Sequence, residues 1–504
     1  MKALSSNYRL PMTCVLAIDA GTTGVTALVV DAQARVVARG YREFAQHFPQ
    51  EGWVEHDLGE IWSATLEATR QALAAHGGTD DLVAIGITNQ RETVCLWDRE
   101  TLGAARRAIV WQDRRTAAMC ASLIEAGHED LVRERTGLRL DPYFSATKLA
   151  WIAAHEPNVW AQVASGRIAI GTVDSYLVAR MTRGLSHLTD ATNASRTLLY
   201  DLDTGTWDDR LCALFGVPSH ALPEIVPSYG ELARTEPSAF LGLSLPISGI
   251  AGDQQAALVG QAGFHAGAAK CTYGTGSFLL VHTGTTPQRS HSGLLTTVAL
   301  QHPDGRRDFA LEGAVFVTGS AVQWLRDGLG IIDSAAEIEE LAASVPDSGG
   351  VVFVPALTGL GAPEWDPTAR GLIIGITRGT TRAHLARATL EAIAFEVRDV
   401  VDLMSREGHV TLDRLAIDGG AAANDLLCQL QADTVRLVVD RSAELQTTGL
   451  GAAFLAGLGS GVWTSTEQLA DTRRSSGSFA PGPWDPEAHD RWREAVARSR
   501  RWAR

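Results

Sequence analysis

The 504-residue sequence predicts an α/β protein built from two similar lobes. Three observations lead there. A strand, a tight Gly-Thr loop and a second strand occur near the N-terminus and recur near the middle of the chain. Each copy is followed by further buried strands mixed with helical patterns. The length, at roughly 100–200 residues per domain, calls for two to four domains.

The elements follow in order. Residues 15–19 form a strand, 20–24 (Ala-Gly-Thr-Thr-Gly) a tight loop and 25–31 the return strand. A third strand after a polar turn, over 35–40, completes an antiparallel meander. A helix starts from Asp57, with Glu60 as a capping-box partner and Gly77-Gly78 as the stop. Residues 82–88 read as a buried strand. Lys270-Cys-Thr-Tyr, Gly274-Thr-Gly276 and 277–282 repeat the opening motif, which places a boundary around 260–267 and domains at 12–260 and 261–504. A helix spans 382–405, a strand 412–417, and Asn424-Asp425 opens another helix. Residues 490–504 carry six arginines with Trp492, Val496 and Trp502, which reads as a solvated amphipathic helix packing its tryptophans inward.

Composition excludes several classes. Hydrophobic residues at 45% and charged residues at 20% give a globular chain with a large core, not a disordered or collagenous one. Lys and Arg number 44 against 58 Asp and Glu, and the net charge of −14 repels nucleic acid and anionic membranes, so a phosphate ligand needs local donors. None of the three lysines, Lys2, Lys148 and Lys270, follows a glycine, which excludes a P-loop. The six cysteines are isolated and read as buried thiols of a reducing cytosol. Beyond Lys2, Arg9 and Pro11, the apolar N-terminal stretch meets Asp19 too soon for a secretory segment. The apolar stretch 450–463 is too short and glycine-rich to cross a bilayer. The expectation is a cytoplasmic protein without membrane insertion.

The chemistry sits at strand ends. Asp19-Ala-Gly-Thr-Thr-Gly24 sets a carboxylate before a loop whose backbone N–H groups and hydroxyls can approach an anion; a plain glycine hairpin is the alternative. Gly274-Thr-Gly276 mirrors it, and two such hairpins can hold the ends of a triphosphate. Asp418-Gly-Gly-Ala421 with Asn424 gives a third glycine turn, suited to adenine or ribose. Arg91 and Glu92 follow a buried strand and offer forked donors beside acceptors, suited to neighbouring hydroxyls of a small polyol, or else form an ion pair. Asp253, between a strand and a helical run, can take a proton from an attacking hydroxyl, or cap the helix.

These residues lie in longer strings: Gly52-Trp-Val-Glu-His-Asp57, Gly86-Ile-Thr-Asn-Gln-Arg-Glu-Thr93, Asp141-Pro-Tyr-Phe-Ser145, Gly249-Ile-Ala-Gly-Asp-Gln-Gln-Ala256, Gly359-Leu-Gly-Ala-Pro363 and Trp365-Asp-Pro367. By them the chain resembles the FGGY carbohydrate kinases along nearly its whole length, and among these the members that act on glycerol. The resemblance implies two actin-like (ribonuclease H-like) lobes with mixed sheets, ATP and Mg²⁺ in a cleft between them, and transfer of the γ-phosphoryl group to a terminal hydroxyl. A longer polyol or a ketose as substrate, or a catalytically silent sensor on the same fold, are the rival readings. The resemblance makes Arg91, Glu92, Tyr143, Asp253 and Gln254 ligands of the glycerol hydroxyls, packs Trp111 and Phe278 on its carbons, and makes Asp253 the base. Thr22, Thr23, Gly24, Thr275, Gly319, Gln323, Gly420 and Asn424 match nucleotide positions, with Asp19 and Asp253 near Mg²⁺ through water. It also implies a homodimer or homotetramer.

Departures from the family pattern are Ala20 and Thr26, where many glycerol-acting members carry Gln and Arg. The loop 239–246 places Leu243 and Ser244 where relatives inhibited by fructose 1,6-bisphosphate carry Thr and Arg. This chain is therefore expected to be insensitive to that effector. Residues 229–235 contain no histidine for a phosphotransfer protein to modify.

Overall fold

The computed structural model describes residues 13–503. Lys2, Arg9, Pro11, the first residue of the expected domain at position 12, and Arg504 lie outside the described residues. The chain divides into two compact units. The first contains the segment up to 262 together with 298–307 and 448–473; the second contains 263–297, 308–447 and the segment from 474. A single cut at 260 thus misses two excursions of the chain. The apolar stretch 450–463, weighed above against a membrane span, packs within the first unit. Among the described residues no helix is long and apolar enough to cross a membrane.

In the first unit β1 (Cys14–Ala20), β2 (Gly24–Asp31) and β3 (Val36–Glu43) form the antiparallel meander, the third strand running longer than its sequence pattern. Helix α1 (Leu58–His76) is capped by Asp57, whose carboxylate accepts from Gly59 and Glu60 N–H, and stops at left-handed Gly77. The capping box does not close: Glu60 Oε2 accepts instead from the Ala45 N–H at 3.1 Å. Strands β4 (Leu82–Asn89), β5 (Tyr229–Arg234) and β6 (Pro246–Gly252) complete a six-stranded sheet of order β5-β6-β4-β1-β2-β3. β6, β4 and β1 are parallel. β1 and β2 are buried along almost their whole length and join the main apolar core. From β6 the chain enters α2 (Asp253–Gly260).

The second unit repeats the plan. β7 (Ala269–Tyr273) and β8 (Ser277–Gly284) make the second hairpin; β9 (Leu295–Gln301), most of which the division above counts with the first unit, and β10 (Arg307–Val315) extend the same sheet. Helix α3 (Arg382–Glu407) leads to β11 (Leu415–Asp418), α4 (Asp425–Val435) and β12 (Val439–Ser442), and β13 (Ser475–Phe479) closes the edge. The order is β9-β10-β8-β7-β11-β12-β13. β7, β11 and β12 are parallel and β13 is antiparallel, as β1, β4, β6 and β5 are in the first unit. The duplication read from two short loops therefore extends to whole sheets. The strand expected over 412–417 starts later, at Leu415, because Leu412 to Arg414 lie in the preceding loop.

Helix α5 (Thr447–Ser460) carries the apolar stretch, with Phe454 and Leu455 buried. Its close-packed glycines face backbone: a Cβ on Gly459 would run into Ser248 of β6 and Gly230 of β5, and one on Gly451 into Ala256 of α2. Helix α6 (Pro486–Ser499) buries Trp492, but Trp502 beyond its end is 73% exposed, so only one of its two tryptophans points inward. All six cysteines are buried free thiols.

Candidate active site

In the first unit the site residues come from the carboxyl ends of three adjacent parallel strands, where open α/β sheets bind ligands. Asp19 is the penultimate residue of β1 and lies beside Thr88 of β4 in register; Gly252, the last of β6, lies beside Asn89. Arg91 and Glu92 leave β4 in a loop held by Gln90, whose N–H donates to Ala20 O at 2.9 Å and whose amide donates to Gly21 O at 3.0 Å. Glu92 sits at φ 61, a left-handed conformation unusual for glutamate. Ser145 Oγ donates to its carbonyl at 2.9 Å. Asp253 opens α2; the helix is capped by Gly252, so Asp253 is its first residue and not its cap.

Arg91 gathers the cluster. Its Nε lies 3.0 Å from Asp253 Oδ1, its Nη1 donates to Gln255 Oε1 at 3.2 Å and its Nη2 to the Tyr143 hydroxyl at 3.4 Å. The guanidinium stem passes directly over Gly252, where a Cβ would stand 2.6 Å from Arg91 Cγ and Cδ. Any other residue at 252 displaces the arginine. Arg91 and Glu92 are only 3.8 Å apart, but Glu92 is chiefly bound by Arg196, whose Nε donates to Oε1 at 2.7 Å. All three are at most 2% exposed, so this is no surface ion pair. Trp111 meets Tyr143 edge-to-face at 5.6 Å and donates its indole N–H to Thr22 Oγ1 at 3.0 Å. Gln254 is buried, and its backbone N–H donates to Asp253 Oδ1 at 2.7 Å. Arg91, Glu92, Trp111, Tyr143, Asp253 and Gln254 therefore stand together, with Thr22 beside them. Trp53 is apart, under the Arg115 guanidinium.

The two carboxylates of this cluster repel each other. Burial, and then the charge of Asp253, push the Asp19 carboxyl up to about 7. A buried carboxyl that resists ionisation beside a second carboxylate is relieved by a divalent cation, and an all-oxygen donor set suits Mg²⁺. The residues present thus fit the ion. Thr26 is the register partner of Asp19 on β2 and is buried, so the position at which the family resemblance leads one to expect arginine carries a neutral hydroxyl residue here.

In the second unit the hairpin loop Gly274-Thr-Gly276 is stitched to the start of a short helix, Gly319–Gln323. The N–H groups of Thr318 and Ser320 donate to Thr275 O, and that of Gly319 to Gly274 O, at 2.9 to 3.1 Å. Thr275 and Gly319 are thereby adjacent, with Thr275 exposed, and Gln323 is exposed at the helix end. Gly419, at φ 88, lies against the Tyr273 backbone, which carries the turn Gly420–Ala423 to the end of β7. Asn424 caps α4, accepting from Leu427 N–H at 2.7 Å, so its side-chain oxygen is already engaged. Phe278 is half-buried on β8 of this unit; Thr22, Thr23 and Gly24 belong to the first.

Three supporting residues escape the sequence reading. Arg196 and Gln255 have been described. Lys148 is fully buried and donates to the carbonyls of Pro142, Tyr143 and Phe144 at 2.5, 2.8 and 2.9 Å, tying the turn that presents Tyr143; burial lowers its pKa to about 8. The loop 239–246 packs on its own unit, with Phe240 and Leu243 in the core, as expected of a loop without anion donors.

Residues 14–260 match the model of the FGGY family of carbohydrate kinases, N-terminal domain, and residues 269–460 its C-terminal domain. The chain is 52% identical over 495 residues to a glycerol kinase of Aromatoleum aromaticum, covering 97% of this chain and 99% of the relative. It is 50% identical over 495 residues to one of Halorhodospira halophila, covering 97% of each. Among solved structures it is similar to Plasmodium falciparum glycerol kinase with ADP, at 34% identity and a TM-score of 0.90, covering 97% of this chain and 98% of that one. Matching family models over both halves, full-length relatives at half identity and the duplicated sheets with their strand-end carboxylates together show that the chain belongs to the FGGY family of carbohydrate kinases.

Proposed function

We propose that the protein is an ATP-dependent kinase that converts glycerol to sn-glycerol 3-phosphate. The observation that carries this reading is the buried cluster in which Arg91 holds Asp253 while Glu92, Trp111 and Tyr143 stand around it. Forked donors, acceptors and aromatic faces gathered in one cluster suit a three-carbon polyol. In this reading Glu92 and Arg91 bind neighbouring hydroxyls, Gln254 adds a further polar contact, and Trp111 packs on the carbon chain, a role that the family resemblance also gives Phe278. Asp253 Oδ1 is occupied by Arg91 and by the Gln254 N–H, which leaves Oδ2 to accept the proton of the attacking hydroxyl.

Thr22, Thr23 and Gly24 of the first hairpin and Thr275 and Gly319 of the second serve the phosphates, and Gln323, Gly420 and Asn424 the nucleoside. Asp19 and Asp253 would hold Mg²⁺ through water, and the ion, when bound, neutralises charge on the transferring phosphoryl group. Keeping water away from the phosphoryl group during transfer would keep glycerol as the acceptor. We assign the kinase to the cytoplasm, as a homodimer or homotetramer. Release of ADP measured across glycerol, longer polyols and ketoses tests the function: kcat/KM highest for glycerol supports it. A higher value for a pentulose would transfer the assignment to that substrate, and no release with any acceptor would identify a silent sensor.

A further inference from the structure

We infer that Cys14, His76 and Asp81 form a second cation site in the first unit, selective for a thiophilic divalent ion of the Zn²⁺ type. Cys14 is the first residue of β1, His76 the last of α1, and Asp81 immediately precedes β4. One ligand atom from each lies within 4.8 Å of the other two. The cluster is ordered by its own backbone, since the Cys14 N–H donates to Asp81 O at 2.9 Å. His76 Nε2 faces both carboxylate oxygens, at 2.9 and 3.0 Å.

The donor set determines the class of ion. Thiolate, imidazole and carboxylate together suit Zn²⁺ and its neighbours, whereas the oxygen-only pair Asp19 and Asp253 suits Mg²⁺. Bonds of about 2.0–2.3 Å at tetrahedral angles hold ligand atoms roughly 3.3–3.8 Å apart. Reaching that spacing needs the histidine and aspartate to part slightly and the sulfur to draw in by about an ångström. The loop that must adjust is permissive: Gly77 and Gly78 separate His76 from Asp81, and a Cβ on either would meet nothing. The sulfur is buried, while the His76 and Asp81 side chains are 10% and 23% exposed, so a water can take the fourth position from the solvent side. The C-terminal end of a 19-residue helix adds its negative dipole.

Binding replaces the thiol proton, which leaves to solvent, and the proton that His76 Nε2 shares with the Asp81 carboxylate must also move: from an imidazolium it leaves to solvent, from a neutral ring it passes through solvent to Nδ1, and Nε2 then gives its lone pair to the ion. No electron moves. Asp19 lies five residue steps along β1 from Cys14, about 17 Å of strand, so the ion fastens the end of α1 and the entry to β4 to the start of β1 and takes no part in phosphoryl transfer.

Co²⁺ titrated into the chelator-treated full chain is the test. A thiolate-to-cobalt charge-transfer band should saturate at one equivalent, bleach with Zn²⁺ and persist in excess Mg²⁺. Cys14→Ser should abolish the band, and His76→Gln, at a partly solvated helix end where folding is safe, should weaken Co²⁺ binding at least tenfold. Absence of the band in the wild-type chain, or unchanged affinity in His76→Gln, overturns the site; in that case the hydrogen bonds alone account for the cluster.

Discussion

Replacing Asp19 by asparagine should stabilise the first unit while destroying activity. In the folded chain the Asp19 carboxyl ionises only near 7, against an ordinary 3.8, because burial and then Asp253 oppose the charge. The folded form thus keeps a proton up to about pH 7 that the unfolded chain releases near pH 4. Stability from this group is highest below about pH 4, falls as pH rises to about 7 and is level above. Each pH unit is worth about 1.4 kcal/mol, so the full effect is on the order of 4 kcal/mol; residual water contact of Asp19 brings it to about 2–4 kcal/mol. Asp19→Asn removes the charge and should exceed the wild-type stability by that amount at about pH 8, the gap closing toward pH 4. His56 and His187, lowered to about 4 by burial, give the opposite slope, but they are common to both proteins and cancel in the difference. Urea unfolding followed by tryptophan fluorescence at several pH values, with divalent ions chelated, measures the gap. Added Mg²⁺ should narrow it by binding only the wild type. A variant equal to or less stable than wild type at about pH 8 would refute the reasoning.

Other expectations follow from the same cluster. Asp253→Asn should lower kcat by about 10²–10⁴ with the fold intact, and near-normal turnover would remove Asp253 as the base. Arg91→Ala should raise the KM for glycerol far more than that for ATP and also lower kcat, since the Asp253 carboxylate loses its clamp; equal losses for both ligands would make Arg91 a scaffold residue. Arg196→Met leaves Glu92 buried without its main partner and should cost about 3–5 kcal/mol in unfolding experiments, of which Glu92→Gln in the same chain restores part; strict additivity would deny the coupling. Thr26→Arg sets a guanidinium opposite Asp19 and should lower the KM for ATP, in proportion to a charge-assisted phosphate contact of roughly 1.5–3 kcal/mol; an unchanged or higher KM would mean that the neutral hydroxyl is no handicap here.

What the sequence made legible was local. Glycine turns between apolar runs mark strand ends, and the loops after 15–19, 82–88 and 270–273 contain the residues that the fold brings to the carboxyl ends of inner strands. The clamps were not legible for two reasons: Arg196 meets Glu92 from 104 residues away, and Lys148, though near Tyr143 in sequence, holds it by backbone carbonyls, for which no residue type is a signal. The second excursion of the chain was hidden for a different reason. The stretch 450–463 shows its apolarity in sequence but not its destination, and only its glycines, packed against the backbone of β5, β6 and α2, reveal which sheet it covers. Asp253, Arg91 and Tyr143 could each be named from a motif, yet the reason they work as one group is Gly252: it lets the arginine stem cross the end of β6 and reach the aspartate and the tyrosine together. A bulky residue there would leave every named side chain in the sequence and separate the proton acceptor from the hydroxyl-binding group. The chemistry of the site therefore depends on a position that carries no chemistry of its own.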